Sequence, residues 1–369
     1  MRATRAEIDL SAFEFNFKQV KKLVGRGTKV MAVVKANAYG HGAIEISKSA
    51  ISLGVDYLAV AIPEEGIELR ENGIDIPVLV LTPAFEYQME LFFKYDLTAT
   101  IASLESAEKF DLLSNKFGKK AKCHIKVDTG MGRIGVNYKN ASEFVKKIYY
   151  DFKNLYIEGI YTHFATSDEK DKSFAYLQFE RFISIIKELH MSGINIPLKH
   201  CANSGAILDM PETHLDMVRP GIILYGYHPS LEIVNKVELK PVMTLKSKVV
   251  FVKEVEPGTS ISYGRKFIAS KRTKIATIPI GYADGFRRSL TNLGKVEING
   301  EIFPIVGTVT MDQIMVDVGL NTDIKVGDDV ILFGSGNITA WDVANLLGTI
   351  PYEVCCSVSS RVPRIYVRN

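Results

Sequence analysis

The chain of 369 residues is long enough for two domains, and its 47% hydrophobic and 24% charged residues are typical of a globular protein. The net charge of +3 is close to balance, and Lys and Arg do not gather into one run, which argues against nucleic acid or an anionic membrane as a partner. No apolar stretch approaches the roughly 18 residues that a bilayer requires.

Helices and strands are predicted to alternate from residue 11 to about residue 226. The segment "SAFEFNFKQVKKLVG" has helical spacing, with Ser11 as candidate N-cap and Gly25 near its end. Extended runs predict eight strands: "KVMAVVKA", "YLAVAI", "PVLVLT", "LTATIAS", "KCHIKVD", "LYIEGIYTHF", "LKHCANS" and "LDMVRPGIILYG". This alternation predicts an α/β fold with a (β/α)8 TIM-like barrel. A doubly wound open sheet is the alternative, although no GxGxxG follows the first strand.

The pattern changes after about residue 238. Segments from "VMTLKSKVVFVKEV" to "DDVILFG" are rich in β-forming residues with turn residues between them, and one helix, "TAWDVANLLG", is embedded among them. We therefore expect two domains. Residues 10–238 form the barrel, and residues 239–369 together with residues 1–9 form a mainly β domain.

A lysine stands at the end of the first predicted barrel strand. Met31 to Val34 form an apolar run, and Lys35 follows it directly. Such a lysine either lays its stem on apolar surface with its charge in water, or forms a Schiff base with a carbonyl. The strand alone leaves both readings open.

Polar groups recur at the carboxyl ends of the predicted strands, where barrel enzymes carry their active sites. They are Lys35, Lys126, Arg133, His163, Asn203, Ser204 and Arg219. In "VRPGIILYG", the backbone N–H groups of Gly221 and Ile222 are suited to a phosphate, since late-strand loops of these barrels often bind one. A lone Arg in a strand is usually an ion-pair partner, so the reading of Arg219 depends on its neighbours.

The segment "AVVKANAYGHG" resembles the cofactor-lysine signature of alanine racemases. Further blocks of that family follow in order: "KVDTGMGRIG", "HFATSD", "CANSGA", "VRPGIILYG", "SYGRKF", "IGYADGFRR", "GTVTMDQIMVD" and "IPYEVCCSVSSRVPR". The resemblance spans nearly the whole chain. It implies a barrel, a β domain and a head-to-tail homodimer with composite active sites. The implied activity is the interconversion of L- and D-alanine with pyridoxal 5'-phosphate (PLP), which supplies D-alanine for peptidoglycan.

The resemblance also implies four catalytic residues. Lys35 forms the imine with PLP and moves a proton, and Tyr263 of the other subunit is the second base. His163 and Arg219 resemble the pair linked to that tyrosine, and Arg219 also faces the pyridine nitrogen. A single base in a rigid site tends to return the proton to the face it left, so racemisation needs two.

Further residues match binding positions of the family. The phosphate-binding positions are Tyr39, Ser204, Gly221, Ile222 and Tyr352. Arg133 and Met311 match groups that reach the substrate carboxylate, the latter from the partner subunit. Tyr282 and Asp312 match the entryway, and Lys126 matches a position that is carbamylated in many members. No metal site is implied.

Alternative activities remain open at this stage. Related racemases act on serine or lysine, and a barrel-fold PLP decarboxylase is the nearest other chemistry. A decarboxylase is expected to place an acidic group at the ring nitrogen, where this chain offers Arg219. A non-catalytic PLP-binding protein is the alternative from a different class, but such proteins resemble the barrel alone.

Cysteine usage and the N-terminus predict the cytoplasm. Cys123, Cys201, Cys355 and Cys356 form no CxxC pair and no disulfide framework. The first residues carry charges but no apolar signal region. Cys355 and Cys356 are expected to be small buried residues.

Overall fold

The structure is a computed structural model that describes residues 2–368. Met1 and Asn369, the outer ends of the expected β domain, lie outside the described residues. The first part of the chain contains β1 (Arg5–Asp9), α1 (Leu10–Val24), β2 (Lys29–Val33), α2 (Lys35–Tyr39), α3 (Ala43–Ser52), β3 (Tyr57–Val60), α4 (Pro63–Glu71), β4 (Val78–Val80), α5 (Met89–Lys94), β5 (Ala99–Ile101), α6 (Leu104–Phe117), β6 (Ala121–Asp128), β7 (Val136–Asn137), α7 (Ala141–Asp151), β8 (Leu155–Tyr161), α8 (Ser173–Met191), β9 (Leu198–His200), α9 (Ser204–Asp209) and β10 (Met217–Val218).

The second part of the chain is mainly β. It contains β11 (Met243–Lys248), β12 (Phe251–Val255), β13 (Ser260–Ile261), β14 (Phe267–Ile268), β15 (Thr273–Ile278), β16 (Lys295–Ile298), β17 (Glu301–Pro304), β18 (Ile314–Asp317), β19 (Asp329–Phe333), α10 (Ala340–Leu347), α11 (Pro351–Ser357) and β20 (Arg364–Val367).

The predicted (β/α)8 barrel is confirmed. Its parallel strands lie in the orders β10-β2-β3-β4 and β5-β6-β8-β9. A backbone bond from Val80 N–H to the Thr98 carbonyl (3.0 Å) links the two sheets on one side. On the other side, Arg219 N–H donates to the Ala202 carbonyl (2.9 Å). Strands β3 and β4 are buried at every position, which is why they read as continuous apolar runs.

The β domain is built around a six-stranded sheet with the order β17-β16-β19-β11-β1-β20. Strand β1 pairs antiparallel with β11 and parallel with β20, so the first strand of the chain joins the last. A three-stranded sheet, β12-β15-β18, packs beside it. Within residues 2–368, no helix is long and apolar enough to cross a membrane.

Three local expectations were wrong. Helix α1 begins at Leu10, so its N-cap is Asp9 and not Ser11, and the Asp9 carboxylate accepts from Ser11 N–H at 2.8 Å. The eighth strand ends at Val218, because Pro220 lacks an N–H and the chain then enters a 3₁₀ turn at Ile222–Tyr225.

The third difference is a second helix in the β domain. The sequence predicted one helix there, but α11 (Pro351–Ser357) follows α10 after a short turn. Pro351 occupies the first helical position, where its missing N–H is harmless and its φ is suited to the helix. This helix carries Tyr352 to the barrel.

Candidate active site

A cavity of about 750 Å³ opens at the carboxyl ends of the barrel strands. Most predicted site residues line it, together with Met131, Asp168 and Asn203. The predicted residues among its walls are Lys35, Tyr39, Lys126, Arg133, His163, Ser204, Arg219, Gly221, Ile222 and Tyr352. Tyr352 comes from the β domain, so both domains build the wall.

The segment after Lys35 has a left-handed backbone. Residues 36–39, none of them glycine, have φ between 51° and 53°. Left-handed helical geometry costs L-residues roughly 1–2 kcal/mol each, so other contacts must hold the turn. The Glu65 carboxylate accepts from Ala36 N–H (2.6 Å), and the Asn37 side-chain oxygen accepts from Ala43 N–H (2.7 Å). The turn brings Lys35 and Tyr39 to one cavity.

Lys35 has a weakened hold on its proton. Burial of its amine lowers its pKa, and the positive charge of Arg133 lowers it further. The Glu65 carboxylate opposes this shift. A lowered pKa gives a larger share of free amine at neutral pH, which is the form that attacks a carbonyl.

Arg219 is 4% exposed, and both of its terminal nitrogens make hydrogen bonds. Its Nη2 donates to the carbonyls of Thr162 (2.7 Å) and Cys201 (3.0 Å). Its Nη1 donates to His200 Nδ1 at 2.8 Å, and its Nη2 lies 3.3 Å from His163 Nδ1. Burial lowers the pKa of Arg219 to about 10, so the guanidinium stays protonated at neutral pH.

A buried chain of side chains extends from Arg219 through the barrel interior. Because Arg219 can only donate, His200 Nδ1 must accept, and His200 Nε2–H then donates to His124 Nδ1 at 2.8 Å. His124 Nε2–H in turn points to the Glu158 carboxylate at 3.4 Å. Burial lowers the pKa of both imidazoles, so both are neutral.

The sequence interpretation missed His124, Glu158 and His200. A signal was present, because His124 and Lys126 alternate on one strand, and His200 closes another strand that also ends near the cavity. Alternate strand residues face the same side, so His124 shares the inward face of Lys126.

Lys126 and His163 are basic residues of the cavity wall that lie close to Arg219 and Arg133. Lys126 is buried, and its Nζ lies 4.4 Å from the centre of the Tyr161 ring. Burial, then the charges of Arg219 and Arg133, hold its pKa well below the usual range. Burial, then the charges of Arg219, Lys126 and Arg133, hold the pKa of His163 well below its usual range.

Another part of the cavity wall contains hydroxyl and amide donors. Gly221 N–H donates to Ser204 Oγ at 3.0 Å, and the ring centres of Tyr39 and Tyr352 lie 5.9 Å apart. A Cβ added at Gly221 would lie 2.5 Å from the Tyr39 hydroxyl oxygen. Glycine at position 221 therefore lets the Tyr39 hydroxyl approach the backbone closely, and this group of hydroxyl and amide donors suits a phosphate.

Four predicted residues lie elsewhere, on the surface of the β domain. Tyr263 is 73% exposed, and Met311, Tyr282 and Asp312 are also exposed. The Asp312 carboxylate accepts from Arg361 Nη2 at 2.9 Å. None of these four lines the cavity of the described chain.

The pair of adjacent cysteines divides. Cys355 is buried as expected, but the expectation for Cys356 was wrong, because it is exposed. It lies on α11 near Lys35, whose charge lowers the pKa of its thiol, although partial desolvation of the thiol raises that pKa more strongly. Neighbouring helical residues face different directions, so one is buried and the other is not.

Two family models match the chain. The model described as "Alanine racemase, N-terminal domain" matches residues 8–229, and "Alanine racemase, C-terminal domain" matches residues 242–366. The chain belongs to the alanine racemase family. The resemblance that the sequence motifs carried is thereby confirmed.

Individual members of the alanine racemase family are similar over their whole length. Alanine racemase from Halothermothrix orenii is 50% identical over 368 residues, which is 99% of this chain and 97% of the relative. The Methanococcus maripaludis alanine racemase is 49% identical and covers 98% of each chain. A Clostridium difficile 630 alanine racemase in complex with cycloserine has a TM-score of 0.95 at 44% identity, over 100% of this chain and 96% of that one.

Proposed function

We propose that the protein is an amino-acid racemase, an isomerase, that uses PLP to interconvert L- and D-alanine by two-base proton transfer between Lys35 and the partner's Tyr263. The observation that carries the proposal is the composition of the cavity. It combines the Lys35 amine, whose pKa is lowered, with Arg219, which can only donate hydrogen bonds, and with hydroxyl and amide donors suited to a phosphate. The amine would bind the carbonyl carbon of PLP, the arginine would bind its ring nitrogen, and the cluster of donors would bind its phosphate.

The residues fit PLP on observations of this chain. Tyr39, Ser204, Gly221, Ile222 and Tyr352 would hold the phosphate, and the absence of a side chain at 221 is what lets the Tyr39 hydroxyl lie next to the backbone amides. Lys35 would bind the carbonyl carbon. When bound, PLP supplies an imine and an electron-withdrawing ring that acidify the α-proton of an amino acid.

Lys35 would act as the base on one face of the substrate. Lys35 lines the cavity with a lowered pKa, so its free amine would be able to accept a proton at Nζ. A second base must serve the opposite face, because a lone lysine would return the proton to the side from which it came. Lys35 would therefore exchange the α-proton of one enantiomer, and a second base would be needed for the other enantiomer.

The partner's Tyr263 would be that counterpart. Tyr263 is 73% exposed on its own chain, which leaves its hydroxyl available to a second subunit. Forming phenolate at pH 7 from a tyrosine of pKa about 10 costs roughly 4 kcal/mol. The positive charge of Arg219 and a bond to His163 would offset part of that cost.

Arg219 would set the reaction type. It would donate to the ring nitrogen of PLP without giving up its proton, because a guanidinium can only donate, and that nitrogen would then remain an unprotonated acceptor. The electron demand on the substrate α-carbon is then moderate. Lys35 and the partner's Tyr263 would return the proton to this carbon, and side reactions such as transamination would be disfavoured.

Substrate binding would involve residues of both subunits. Arg133 and the partner's Met311 amide would hold the carboxylate, while Tyr282 and Asp312 would form the entryway. Bulk near Tyr352 and Tyr282 would favour a methyl side chain over larger ones. The Bacillus anthracis alanine racemase solved with bound L-Ala-P is 38% identical, with a TM-score of 0.93 over 100% of this chain and 96% of that one, and supports an alanine-sized ligand.

Lys126 would carry a carbamate. Its depressed pKa leaves a neutral amine that can take up carbon dioxide, and two arginine charges favour the resulting anion. The carbamate would hold Arg133 in place. NMR with ¹³C-labelled bicarbonate tests it: a carbamate signal that survives in Lys126→Met would refute the assignment.

The proposal also covers the two domains, the oligomeric state and the cellular location of the protein. Residues 10–238 would be the PLP-binding barrel, and residues 239–369 with residues 1–9 the β domain that completes the partner's site. Pairing of β1 with β11 supports the inclusion of the N-terminal strand. The protein would act as a homodimer in the cytoplasm on a free amino acid and supply D-alanine for peptidoglycan.

Two measurements test the function. Incubation with L-alanine in deuterium oxide should give α-deuterated D- and L-alanine, whereas a decarboxylase would release carbon dioxide and a carrier would do neither. Reduction with borohydride followed by peptide mapping should find the pyridoxyl tag on Lys35. A higher kcat/KM for serine or lysine than for alanine would contradict the substrate assignment.

A further inference from the structure

His41 is a completely buried residue that the mechanism above does not use. It lies two residues beyond Tyr39, after the left-handed turn. Its Nδ1 lies 3.0 Å from the carbonyl oxygens of both Ala38 and Tyr39. Its Nε2 has no hydrogen-bond partner among the described residues.

These contacts determine which nitrogen carries the hydrogen. The two carbonyl oxygens can only accept, so Nδ1 must be the donor. The ring is neutral at physiological pH, because burial lowers the pKa of His41 to about 4. The remaining nitrogen, Nε2, is then an unpaired acceptor. A buried unpaired atom is unfavourable, so the residue must gain more at Nδ1 than it loses at Nε2.

The carbonyls that His41 binds belong to the turn that carries the site. Its ring packs on Tyr225 with centroids 4.7 Å apart, and Tyr225 packs at the same separation on Tyr39. The Tyr225 hydroxyl donates to the Val33 carbonyl at 2.8 Å. One pair of packed rings, tilted at 34° to each other, therefore binds the backbone on both sides of Lys35, before it and after it.

We propose that His41 is a positioning residue whose Nδ1–H holds the left-handed turn, so that the Lys35 amine and the Tyr39 hydroxyl face one cavity at the spacing that PLP requires. The inference rests on the proposed function only in taking PLP as the ligand. Without the bond, the turn relaxes toward right-handed backbone, and the two groups no longer act on one molecule.

Three variants separate the hydrogen bond from simple packing. An Asn amide nitrogen replaces the histidine Nδ1, a Gln amide nitrogen replaces Nε2, and Leu replaces neither. We expect His41→Asn to bind PLP within about threefold of wild type, and His41→Gln and His41→Leu to bind it about tenfold more weakly. The readouts are the PLP dissociation constant by equilibrium dialysis of apoprotein and the rate of borohydride-trapped labelling at Lys35.

His214→Leu is the matched control. His214 is also buried and donates from Nε2 to the Ile207 carbonyl at 3.1 Å, outside the turn. Its loss should lower the melting temperature but leave the PLP dissociation constant within twofold. If His41→Leu does not fold, the comparison of His41→Asn with His41→Gln decides.

Equal PLP affinity of the Asn and Gln variants, or wild-type affinity of a folded His41→Leu, overturns the inference. Failure of the proposed function gives a different result. Wild-type protein that binds PLP at Lys35 but does not racemise alanine would refute the racemase and leave the His41 comparison intact.

Discussion

Arg219 has an unusual environment for a buried cation. Its hydrogen bonds go to two carbonyls and two imidazoles, and the first carboxylate along this chain, Glu158, lies beyond both His200 and His124. A buried charge without a contacting counter-ion is costly, so such an arrangement is expected where the charge serves a ligand. Arg219 is therefore a hydrogen-bond donor that does not release its proton to a ligand.

Replacing Arg219 with Glu tests this consequence. A carboxylic acid at this position can protonate the ring nitrogen, so the electron demand rises and transamination competes with racemisation. We expect alanine racemisation to fall by at least about 100-fold and pyruvate formation from alanine to rise. Glu297→Gln, which removes a buried carboxylate of the β domain, is the control and should change neither rate. An Arg219→Glu enzyme with no gain in pyruvate would contradict the assignment.

At the scale of elements, the buried strands were predictable and the turns after them were not. Apolar runs located β2, β3 and β4, since a buried strand needs apolar residues on both faces. The left-handed turn after β2 left little trace in residue type, because only Asn37 among its residues favours that geometry and its Ala and Tyr residues do not. It exists because bonds from other elements hold it, and those partners are remote in sequence.

Gly221→Ala tests the turn after β10. The added Cβ would lie 2.5 Å from the Tyr39 hydroxyl oxygen and displace this hydroxyl from the backbone amides proposed to bind the phosphate. We expect the PLP dissociation constant to rise about tenfold or more while the melting temperature of the apoprotein changes little. Gly27→Ala is the control, because no atom lies within 4 Å of its added Cβ and its φ is ordinary. Unchanged PLP affinity in Gly221→Ala would exclude this group of donors as the phosphate site.

On the scale of the whole molecule, the proposed chemistry is divided between two places. Lys35, Arg219 and His163 line the cavity, whereas Tyr263 and Met311 are exposed on the β domain and do not line it. A monomer would therefore lack one of its two bases. Head-to-tail pairing of two copies would supply each cavity with the other chain's Tyr263.

Mixing two inactive variants tests the division. Lys35→Ala and Tyr263→Phe each inactivate the homodimer, but a heterodimer contains one cavity with both bases intact. After unfolding and refolding together, random pairing should restore about a quarter of wild-type activity. Each variant refolded alone is the control. If heterodimers form, as native mass spectrometry can show, and activity does not return, the sites are not shared.

The sequence by itself determined the alternation of strands and helices, the change to β structure after the barrel, and the family to which the chain belongs. These depend on apolar periodicity and on local motifs, which are written in consecutive residues. Only the tertiary structure decided the left-handed turn, the chain from Arg219 to Glu158, the second β-domain helix and the position of Tyr263 relative to the cavity. Each of those features depends on contacts between residues that are far apart in the chain. A local sequence pattern does not indicate the free energy of such contacts.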